Sequence, residues 1–235
     1  MSTTKVMLVD DEPQAKRVLR IALISHGFEV MEARDGEGAL IALRNESPDV
    51  ILLDLKMPGI GGLDACRLIR ERSEVPIIIV SAKDGEKDKV KALENGADDY
   101  VTKPAAVEEL VARIHAVTRR PSLASHSRVF RLDSIEIDLE SHEVRRGDTL
   151  IHLTSKEFKL LYYFLQNPGI MVTHRRLLQA VWGPDYGNEL EYLRVFINQL
   201  RKKIEPDPAR PIYILTEPSC GYRFAPKGRI LGKSF

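Results

Sequence analysis

Residues Val50-Ile51-Leu52-Leu53-Asp54 form a short, wholly apolar run that ends in a carboxylate. Similar runs rich in Val and Ile recur through the first half of the chain, at 5–10, 28–33, 75–81 and 99–102. Runs that stay apolar, instead of alternating with polar residues, are typical of parallel strands that are buried on both faces. The pattern therefore predicts a buried parallel sheet in the first 120 residues.

Amphipathic segments lie between these runs, at about 13–26, 36–45, 62–72, 86–95 and 106–119. Pro13 suits a first helical turn, and Gly27 and Gly96 suit the caps that end helices. Alternating strands and helices of this kind predict an α/β fold with right-handed crossovers. We expect a doubly wound, five-stranded parallel sheet that is flavodoxin-like, with strand order 2-1-3-4-5.

Chemically distinctive side chains stand at the ends of four predicted strands. They are Asp10 and Asp11 after the first strand, Asp54 after the third, Ser81 at the end of the fourth and Lys103 after the fifth. Ligands bind outside the carboxyl ends of the strands in such sheets, so we expect these groups to converge. The absence of a GxGxxG or GxxxxGK[ST] motif argues against a nucleotide enzyme.

Clustered carboxylates raise one another's pKa unless a cation neutralises them. Mg²⁺ suits such a cluster, because it prefers oxygen ligands and needs only one or two protein carboxylates. A carboxylate beside Mg²⁺ can attack a phosphoryl group and form an acyl phosphate. Lys103 would neutralise the added charge, and Ser81 could donate a hydrogen bond to a phosphoryl oxygen. The alternative is a set of unrelated helix caps and surface charges.

Four stretches around these residues resemble the receiver domain of bacterial two-component response regulators. They are Val9-Asp10-Asp11-Glu12, Leu53-Asp54-Leu55-Lys56-Met57-Pro58-Gly59, Val80-Ser81-Ala82 and Gly96-Ala97-Asp98-Asp99-Tyr100-Val101-Thr102-Lys103-Pro104. The resemblance implies that Asp54 accepts the phosphoryl group and that Asp10 and Asp11 form an acidic pocket. It also implies a Mg²⁺ ion at this pocket, bound by Asp11, Asp54 and the backbone carbonyl of Lys56.

The same resemblance implies that Ser81 and Lys103 contact the phosphoryl group and that Tyr100 is a rotamer switch coupled to Ser81. Family members usually have Phe after the Lys-Pro pair, whereas this chain has Ala105. Because of that difference, the resemblance does not decide at which residue the last helix of this half begins.

Charged residues near the end of this half match a dimer interface known in one subfamily of regulators. The resemblance implies three pairs across a two-fold axis, which are Lys89–Glu109, Asp99–Arg113 and Asp98–Arg120. The alternative is an ordinary solvated charged face, and exposed pairs contribute only about 0–1 kcal/mol each.

The composition changes near residue 120. The first 120 residues contain 18 Lys and Arg against 21 Asp and Glu, and the remainder contains 17 against 13, so the total of +1 conceals an acidic and a basic half. Residues 119–127 are polar and Ser-rich, which is typical of a flexible connection. We predict a receiver domain at 1–120, a linker at 121–128 and a DNA-binding domain at 129–235.

The second half has the pattern of an α+β winged helix-turn-helix domain. Thr154 and Glu157 have capping-box spacing at the start of one helix, and Thr173 suits the cap of the next. A third helix is predicted at 189–204, followed by a hairpin from 212–216 and 221–224. On the third helix an apolar stripe at helical spacing should face the core, formed by Leu193, Phe196 or Ile197, Leu200 and Ile204.

Five basic or amide side chains of the third helix fall largely outside this stripe, namely Arg194, Asn198, Gln199, Arg201 and Lys202. Arg, Asn and Gln can pair with purine edges in a major groove, and Lys mainly binds phosphates. A solvated basic face is the alternative.

The stretches His152-Leu153-Thr154-Ser155-Lys156-Glu157-Phe158-Lys159-Leu160-Leu161 and Gly221-Tyr222-Arg223-Phe224 resemble the DNA-binding domain of the OmpR/PhoB family. The resemblance implies that Arg223 on the wing enters the minor groove. It also implies phosphate contacts by Thr173, Arg175, Arg176 and Trp182. Within the family, Val181-Trp182-Gly183-Pro184 and the segment around 193–211 are most similar to regulators of high-affinity potassium transport genes.

The sequence therefore predicts a response regulator that a sensor histidine kinase phosphorylates on Asp54. It would then dimerise, bind double-stranded promoter DNA and act on RNA polymerase, in regulation of potassium transport genes or of a different regulon. One rival is a constitutive DNA-binding protein whose receiver only dimerises. The other is a Mg²⁺-dependent phosphatase with an Asp nucleophile, but such enzymes typically carry a second Asp where this chain has Lys56, so we predict no enzyme.

The expected setting is the reducing cytoplasm. Cys66 and Cys220 are the only cysteines, which argues against a disulfide scaffold. Only five residues precede the first strand-like apolar run, and this segment is too short for a signal peptide. No apolar run reaches the roughly 18 residues of a membrane span, so we predict no membrane contact.

Overall fold

The computed structural model describes residues 3–118 and 129–225. The chain forms two compact units, Met1–Arg119 and Arg120–Phe235. The predicted linker at 121–128 lies outside the described residues, so the domain boundaries assigned from the sequence stay predictions. No helix in the described part of the chain is both long enough and apolar enough to cross a membrane.

The first unit contains a five-stranded sheet in which every strand pairs parallel to its neighbours, in the order β2-β1-β3-β4-β5. The strands are β1 (Lys5–Val9), β2 (Glu29–Ala33), β3 (Val50–Leu53), β4 (Ile77–Ser81) and β5 (Asp99–Thr102). The helices are α1 (Pro13–Ser25), α2 (Gly36–Ala42), α3 (Gly62–Arg70), α4 (Glu86–Glu94) and α5 (Val107–Thr118). The predicted doubly wound fold and its strand order are confirmed.

Burial explains why the strands of this sheet are continuous apolar runs. Every residue of β3 and β4 is buried, whereas β2 at the edge of the sheet is half exposed. Side chains of α1 and α5, such as Leu23 and Ile114, pack on one face of the sheet against Leu8, Leu52 and Val80. This core fixes β1, β3, β4 and β5 side by side, so that their carboxyl ends share one edge.

Local signals placed most helix ends correctly. Pro13 is the first residue of α1, and Gly27 and Gly96 follow α1 and α4 with φ of +85° and +99°, a backbone conformation that glycine adopts without strain. The second helix is shorter than predicted and ends at Ala42. The last helix begins at Val107.

Residues 129–225 of the second unit form two antiparallel sheets and three helices. Strands β6 (Val129–Leu132), β7 (Ile135–Asp138), β8 (Glu143–Arg146) and β9 (Thr149–Ile151) form a four-stranded sheet in sequence order. The helices are α6 (Ser155–Gln166), α7 (His174–Trp182) and α8 (Leu190–Ile204). Strands β10 (Met171–Thr173), β11 (Ile214–Glu217) and β12 (Gly221–Phe224) form a second sheet in the order β10-β12-β11. The hairpin of β11 and β12 is the wing, and the winged helix-turn-helix prediction is confirmed.

The sequence analysis did not predict β10. This strand pairs with β12 and so connects the turn between α6 and α7 to the wing. A three-residue strand has no periodicity of its own, and only its partner across the sheet makes it recognisable.

Side-chain caps start two of the three helices, as predicted. The Thr154 hydroxyl accepts a hydrogen bond from the Glu157 amide at 3.4 Å, and the Glu157 carboxylate accepts one from the Thr154 amide at 2.7 Å. Thr173 accepts a hydrogen bond from the Arg176 amide at 3.3 Å. Lys203 also donates to the Glu157 carboxylate at 2.6 Å, so the capping box joins the start of α6 to the end of α8.

Replacement of Thr154 by Ala removes the acceptor for the Glu157 amide, so it should lower the free energy of unfolding of the second unit by about 1 kcal/mol. Trp182, the single tryptophan, is buried in this unit, and its fluorescence during urea unfolding of the full chain measures the change. The exposed Thr149→Ala on β9 is the matched control, with an expected change below about 0.5 kcal/mol. Equal changes for the two variants would contradict the capping role.

Candidate functional site

An acidic pocket lies at the carboxyl ends of β1 and β3. Asp10 follows β1 and Asp54 follows β3, and only 3% and 9% of their surfaces are exposed. Carboxylate oxygens of Asp10, Asp11 and Asp54 lie within 4.8 Å of one another. The structure therefore brings the three predicted aspartates together in a partly buried cluster.

The ammonium of Lys103 bridges two of these carboxylates. Its Nζ lies 2.8 Å from Asp10 Oδ2 and 3.0 Å from Asp54 Oδ2. Burial lowers the pKa of Lys103, but the hydrogen bonds to Asp10 and Asp54 raise it by more, so the net pKa is raised and the side chain stays charged. The Lys103 amide donates to the carbonyl of Ser81 at 2.7 Å, which holds the loop after β5 against β4.

Backbone amides hold the other oxygens of the same two carboxylates. The Glu12 amide donates to Asp10 Oδ1 at 2.8 Å, and the Lys56 amide lies 3.3 Å from Asp54 Oδ1. A Cβ on Gly62 would lie 2.0 Å from the carbonyl oxygen of Asp54, so only glycine lets α3 begin this close to the pocket. These contacts fix the two aspartates in place.

Lys16, which the sequence analysis did not single out, also supports the pocket. Its ammonium donates to the backbone carbonyls of Asp10 at 2.9 Å and Ala33 at 3.3 Å, and so ties α1 to the ends of β1 and β2. The only sequence signal would have been its position in α1, soon after the acidic pair.

Ser81 and Tyr100 lie on the two strands beside the pocket. Ser81 ends β4 and is fully buried, and its hydroxyl lies 3.4 Å from the Lys83 amide. Tyr100 is also buried, and its hydroxyl donates to the Lys83 carbonyl at 2.7 Å. Burial raises the pKa of Tyr100, so the phenol stays protonated and can act as this donor. Both predicted switch residues thus contact the same short loop after β4.

Three of the charged residues predicted at a dimer interface, Asp99, Glu109 and Arg113, form ion pairs within the chain. The Arg113 guanidinium lies 3.2 Å from Asp99 Oδ2 and donates to Glu109 Oε1 at 2.6 Å. Lys89 lies over the Tyr100 ring, with 6.0 Å between its Nζ and the ring centroid. The predicted intersubunit pairing of Asp99 with Arg113 therefore corresponds to an internal pair in this conformation.

Asp98, also predicted at this interface, is paired inside the receiver unit. Its side chain is 0% exposed, and Oδ2 accepts hydrogen bonds from Arg70 at 2.8 Å and from the Ile77 amide at 3.0 Å. A carboxylate buried against an arginine on α3 is not accessible to a second subunit in this conformation. Its predicted partner Arg120 lies outside the described residues.

Helix α8 has the two faces that its sequence predicts. Its apolar stripe is buried and consists of Leu193, Phe196, Ile197, Leu200 and Ile204. Arg194, Asn198 and Lys202 are exposed, and Gln199 is half-buried. This helix therefore presents cationic and amide side chains on the face that the core does not use.

Arg201 is engaged by the wing. Its NH2 donates to the Ile214 carbonyl at 2.6 Å and to the Thr216 hydroxyl at 2.9 Å, and its guanidinium lies 5.7 Å from the Tyr222 ring centroid. Burial lowers the pKa of Arg201. The side chain therefore links α8 to β11 and β12, a structural role that the sequence did not reveal.

The remaining predicted DNA residues are distributed around the start of α7 and the wing. Thr173, Arg175 and Arg176 are exposed, and Arg223 lies on β12 with its NH2 2.7 Å from Glu217 Oε1. Trp182 is different, because it is only 2% exposed and its ring packs edge-on against Phe196 with centroids 5.1 Å apart. We therefore assign the ring of Trp182 to the core, where α7 meets α8.

Comparison with known proteins agrees with both halves of this geometry. Residues 6–115 match the response regulator receiver domain, and residues 147–224 match the C-terminal domain of transcriptional regulatory proteins. The transcriptional regulatory protein KdpE of Mycobacterium tuberculosis is 43% identical over 223 residues, which cover 94% of this chain and 99% of KdpE. The chain belongs to the OmpR/PhoB family of response regulators.

Other relatives of this OmpR/PhoB regulator carry different names. The sensory transduction protein RegX3 of Mycolicibacterium smegmatis is 42% identical over 224 residues, covering 94% of this chain and 98% of RegX3. Among solved structures, the response regulator DrrB of Thermotoga maritima, described as an OmpR/PhoB homologue, is 31% identical with a TM-score of 0.51. That match covers 95% of this chain and 100% of DrrB.

The predicted class of function is confirmed by these relatives: this OmpR/PhoB protein is a regulator of transcription and not an enzyme. Its family interacts with sensor kinases and promoter DNA and often dimerises. Receiver domains bind Mg²⁺ at the acidic pocket, and the aspartate cluster fits that ion, because three carboxylates and one ammonium leave the pocket negatively charged.

Replacement of Lys103 by Met removes the one ammonium that bridges Asp10 and Asp54. Because the pocket then carries one more unit of net negative charge, the Kd for Mg²⁺ should fall by about threefold to tenfold. Titration calorimetry of the full chain with magnesium chloride measures it, with the exposed Lys87→Met on α4 as the control. An unchanged or weaker affinity in the Lys103 variant would contradict the electrostatic account.

Proposed function

We propose that this regulator is activated by transfer of a phosphoryl group to Asp54. The observation that carries the proposal is the position of Asp54, which is held by the Lys103 ammonium and the Lys56 amide beside two further carboxylates. These contacts orient the side chain as a nucleophile in a pocket that is acidic enough to recruit a divalent cation. Ser81, at the end of the neighbouring strand β4, supplies a hydroxyl.

The donor in this scheme is the phosphohistidine of a sensor histidine kinase. A carboxylate oxygen of Asp54 attacks phosphorus, the phosphorus–nitrogen bond breaks with its electron pair left on the histidine, and an acyl phosphate forms on Asp54. Asp10, Asp11, Asp54 and the Lys56 carbonyl would hold Mg²⁺. When bound, the ion stabilises the negative charge of the transferred phosphoryl oxygens. Lys103 then balances the charge of the phosphorylated side chain.

The response passes through the loop after β4. Ser81 would donate its hydroxyl to the phosphoryl group, and this movement would draw the loop toward the pocket. The hydrogen bond from Tyr100 to the Lys83 carbonyl would be lost, so that Tyr100 takes a new rotamer. Lys89 lies over the Tyr100 ring, so the change would reach the surface of α4.

Phosphorylation would favour a homodimer through α4, β5 and α5. Lys89, Glu109 and Arg113 are the charged residues available to this interface, and the internal pair of Arg113 with Asp99 would have to rearrange. Asp98 and Arg120 keep their place in the proposed interface only if the buried pair of Asp98 with Arg70 opens as well. These pairs would set the geometry of the dimer more than its affinity.

The second unit is the proposed DNA reader, with α8 in the major groove. Arg194, Asn198 and Gln199 are the proposed base-reading residues, and the other DNA contacts are Thr173, Arg175, Arg176, Lys202 and Arg223. Arg201 would act mainly by holding the wing against α8. The excess of Lys and Arg over Asp and Glu in the second half of the chain favours association with phosphates.

We further propose a receiver at 1–120, joined by a linker at 121–128 to the DNA-binding domain at 129–235. A dimer would place two such domains on adjacent half-sites of promoter DNA, where they recruit RNA polymerase in the cytoplasm. Linked binding to two half-sites raises affinity without a new contact to DNA.

The regulon is proposed to include potassium transport genes, because the KdpE relative matches over nearly the whole chain. RegX3 relatives match to a similar degree, so they support a different regulon equally well. Sequencing the fragments of the native genome that the protein retains would distinguish these two regulons.

Replacement of Asp54 by Asn removes the nucleophile and should abolish phosphorylation by acetyl phosphate and Mg²⁺. The mass of the intact wild-type chain should rise by one phosphoryl group, and the variant's should not change. Asp64→Asn is the matched control, because Asp64 is an exposed carboxylate on α3 of the same unit, and it should be labelled like wild type. Labelling of the Asp54 variant to the wild-type extent would show that the phosphoacceptor is another residue.

A further inference from the structure

His174 lies where three elements of the second unit meet. It is the first residue of α7, and its ring packs edge-on against Tyr222 of β12, with centroids 5.5 Å apart. Its amide donates to the Cys220 carbonyl in the turn of the wing at 3.1 Å. The charge of Arg194, on α8, also acts on the imidazole.

The same three elements contribute the proposed DNA contacts. Thr173 and Arg175 flank His174 in sequence, Arg194 belongs to α8, and Arg223 follows Tyr222 on β12. An imidazole among these residues, itself half-buried, belongs to the surface that would face the sugar-phosphate backbone. None of the roles described above uses it.

We propose that His174 is a further DNA-contacting residue, which binds a backbone phosphate in its protonated, imidazolium form. This inference rests on the proposed DNA interface of α7, α8 and the wing. The contact is to phosphate, so it adds affinity at any sequence and does not read a base.

The charges around His174 make this contact dependent on pH. Arg194 on α8 acts on it through its charge and is itself paired with Glu191. The wing contributes the phenol of Tyr222, with Arg201 over its ring, and the exposed thiol of Cys220. In the free protein, burial and then Arg194 hold the pKa of His174 below its usual value near 6.5. The imidazole is therefore neutral near pH 7.5.

A nearby phosphate reverses this balance, because its negative charge favours the imidazolium and offsets Arg194. The pKa of His174 is then higher in the complex than in the free protein, so binding takes up a proton. Affinity for DNA must rise as the pH falls between these two pKa values. One proton limits the change to about tenfold per pH unit.

The test is the Kd of the full chain for DNA between pH 5.8 and 8.0 at constant salt. The probe is a fluorescent duplex of about 30 base pairs, selected by the wild-type protein from random sequence. When the pH is lowered from 8.0 to 5.8, we expect the Kd of the wild type to fall at least threefold more than the Kd of His174→Gln. His174→Arg should bind tightly at every pH, and the exposed His152→Gln should behave like wild type.

Equal pH dependence in wild type and His174→Gln would overturn the inference. Asn198→Ala, measured on the same probe, tests the proposed DNA interface independently of His174. If Asn198→Ala weakens binding while the two pH profiles coincide, the interface stands and the role of His174 is wrong. If no sequence is selected from the random pool, the interface and the role of His174 both fail. Trp182 fluorescence shows whether each variant is folded.

Discussion

The contact of Lys103 with Asp10 and Asp54 is the interaction on which the rest of the receiver depends. Three carboxylates within 4.8 Å of one another repel, and two of them are almost fully buried. The ammonium offsets part of this repulsion and leaves enough negative charge to attract Mg²⁺. The pocket is thus stable in the resting state and still electrostatically prepared for a cation and a phosphoryl group.

The contacts of the same pocket connect its charge to the distant surface. Lys103 holds the Ser81 carbonyl, and the loop after β4 accepts the Tyr100 hydroxyl, so a charge added at Asp54 acts on a loop that Tyr100 also contacts. On β5, next to Tyr100, Asp99 pairs with Arg113 within the chain. Two of the charges proposed for the dimer interface are therefore held in an internal pair in this conformation.

Sequence reasoning succeeded where one local rule decides the structure. Continuous apolar runs predicted the buried strands, and spacing predicted the capping box of α6. The rule that ligands bind at strand ends predicted that Asp10 and Asp54 lie close together. It could not identify contacts that depend on a partner distant in sequence. Asp98 is buried because of Arg70, 28 residues away, and β10 exists only because β12 pairs with it. Local patterns carry no record of such partners.

The central claim is that charge added at Asp54 controls DNA binding through dimerisation. The most direct measurement compares Kd values for a selected duplex with two half-sites and for one with a scrambled half-site, with and without Mg²⁺ and beryllium fluoride, a phosphoryl mimic. The account predicts that the mimic tightens binding to two half-sites by at least about tenfold and leaves the single half-site unchanged. Equal affinity for both duplexes with and without the mimic would contradict it and indicate constitutive DNA binding.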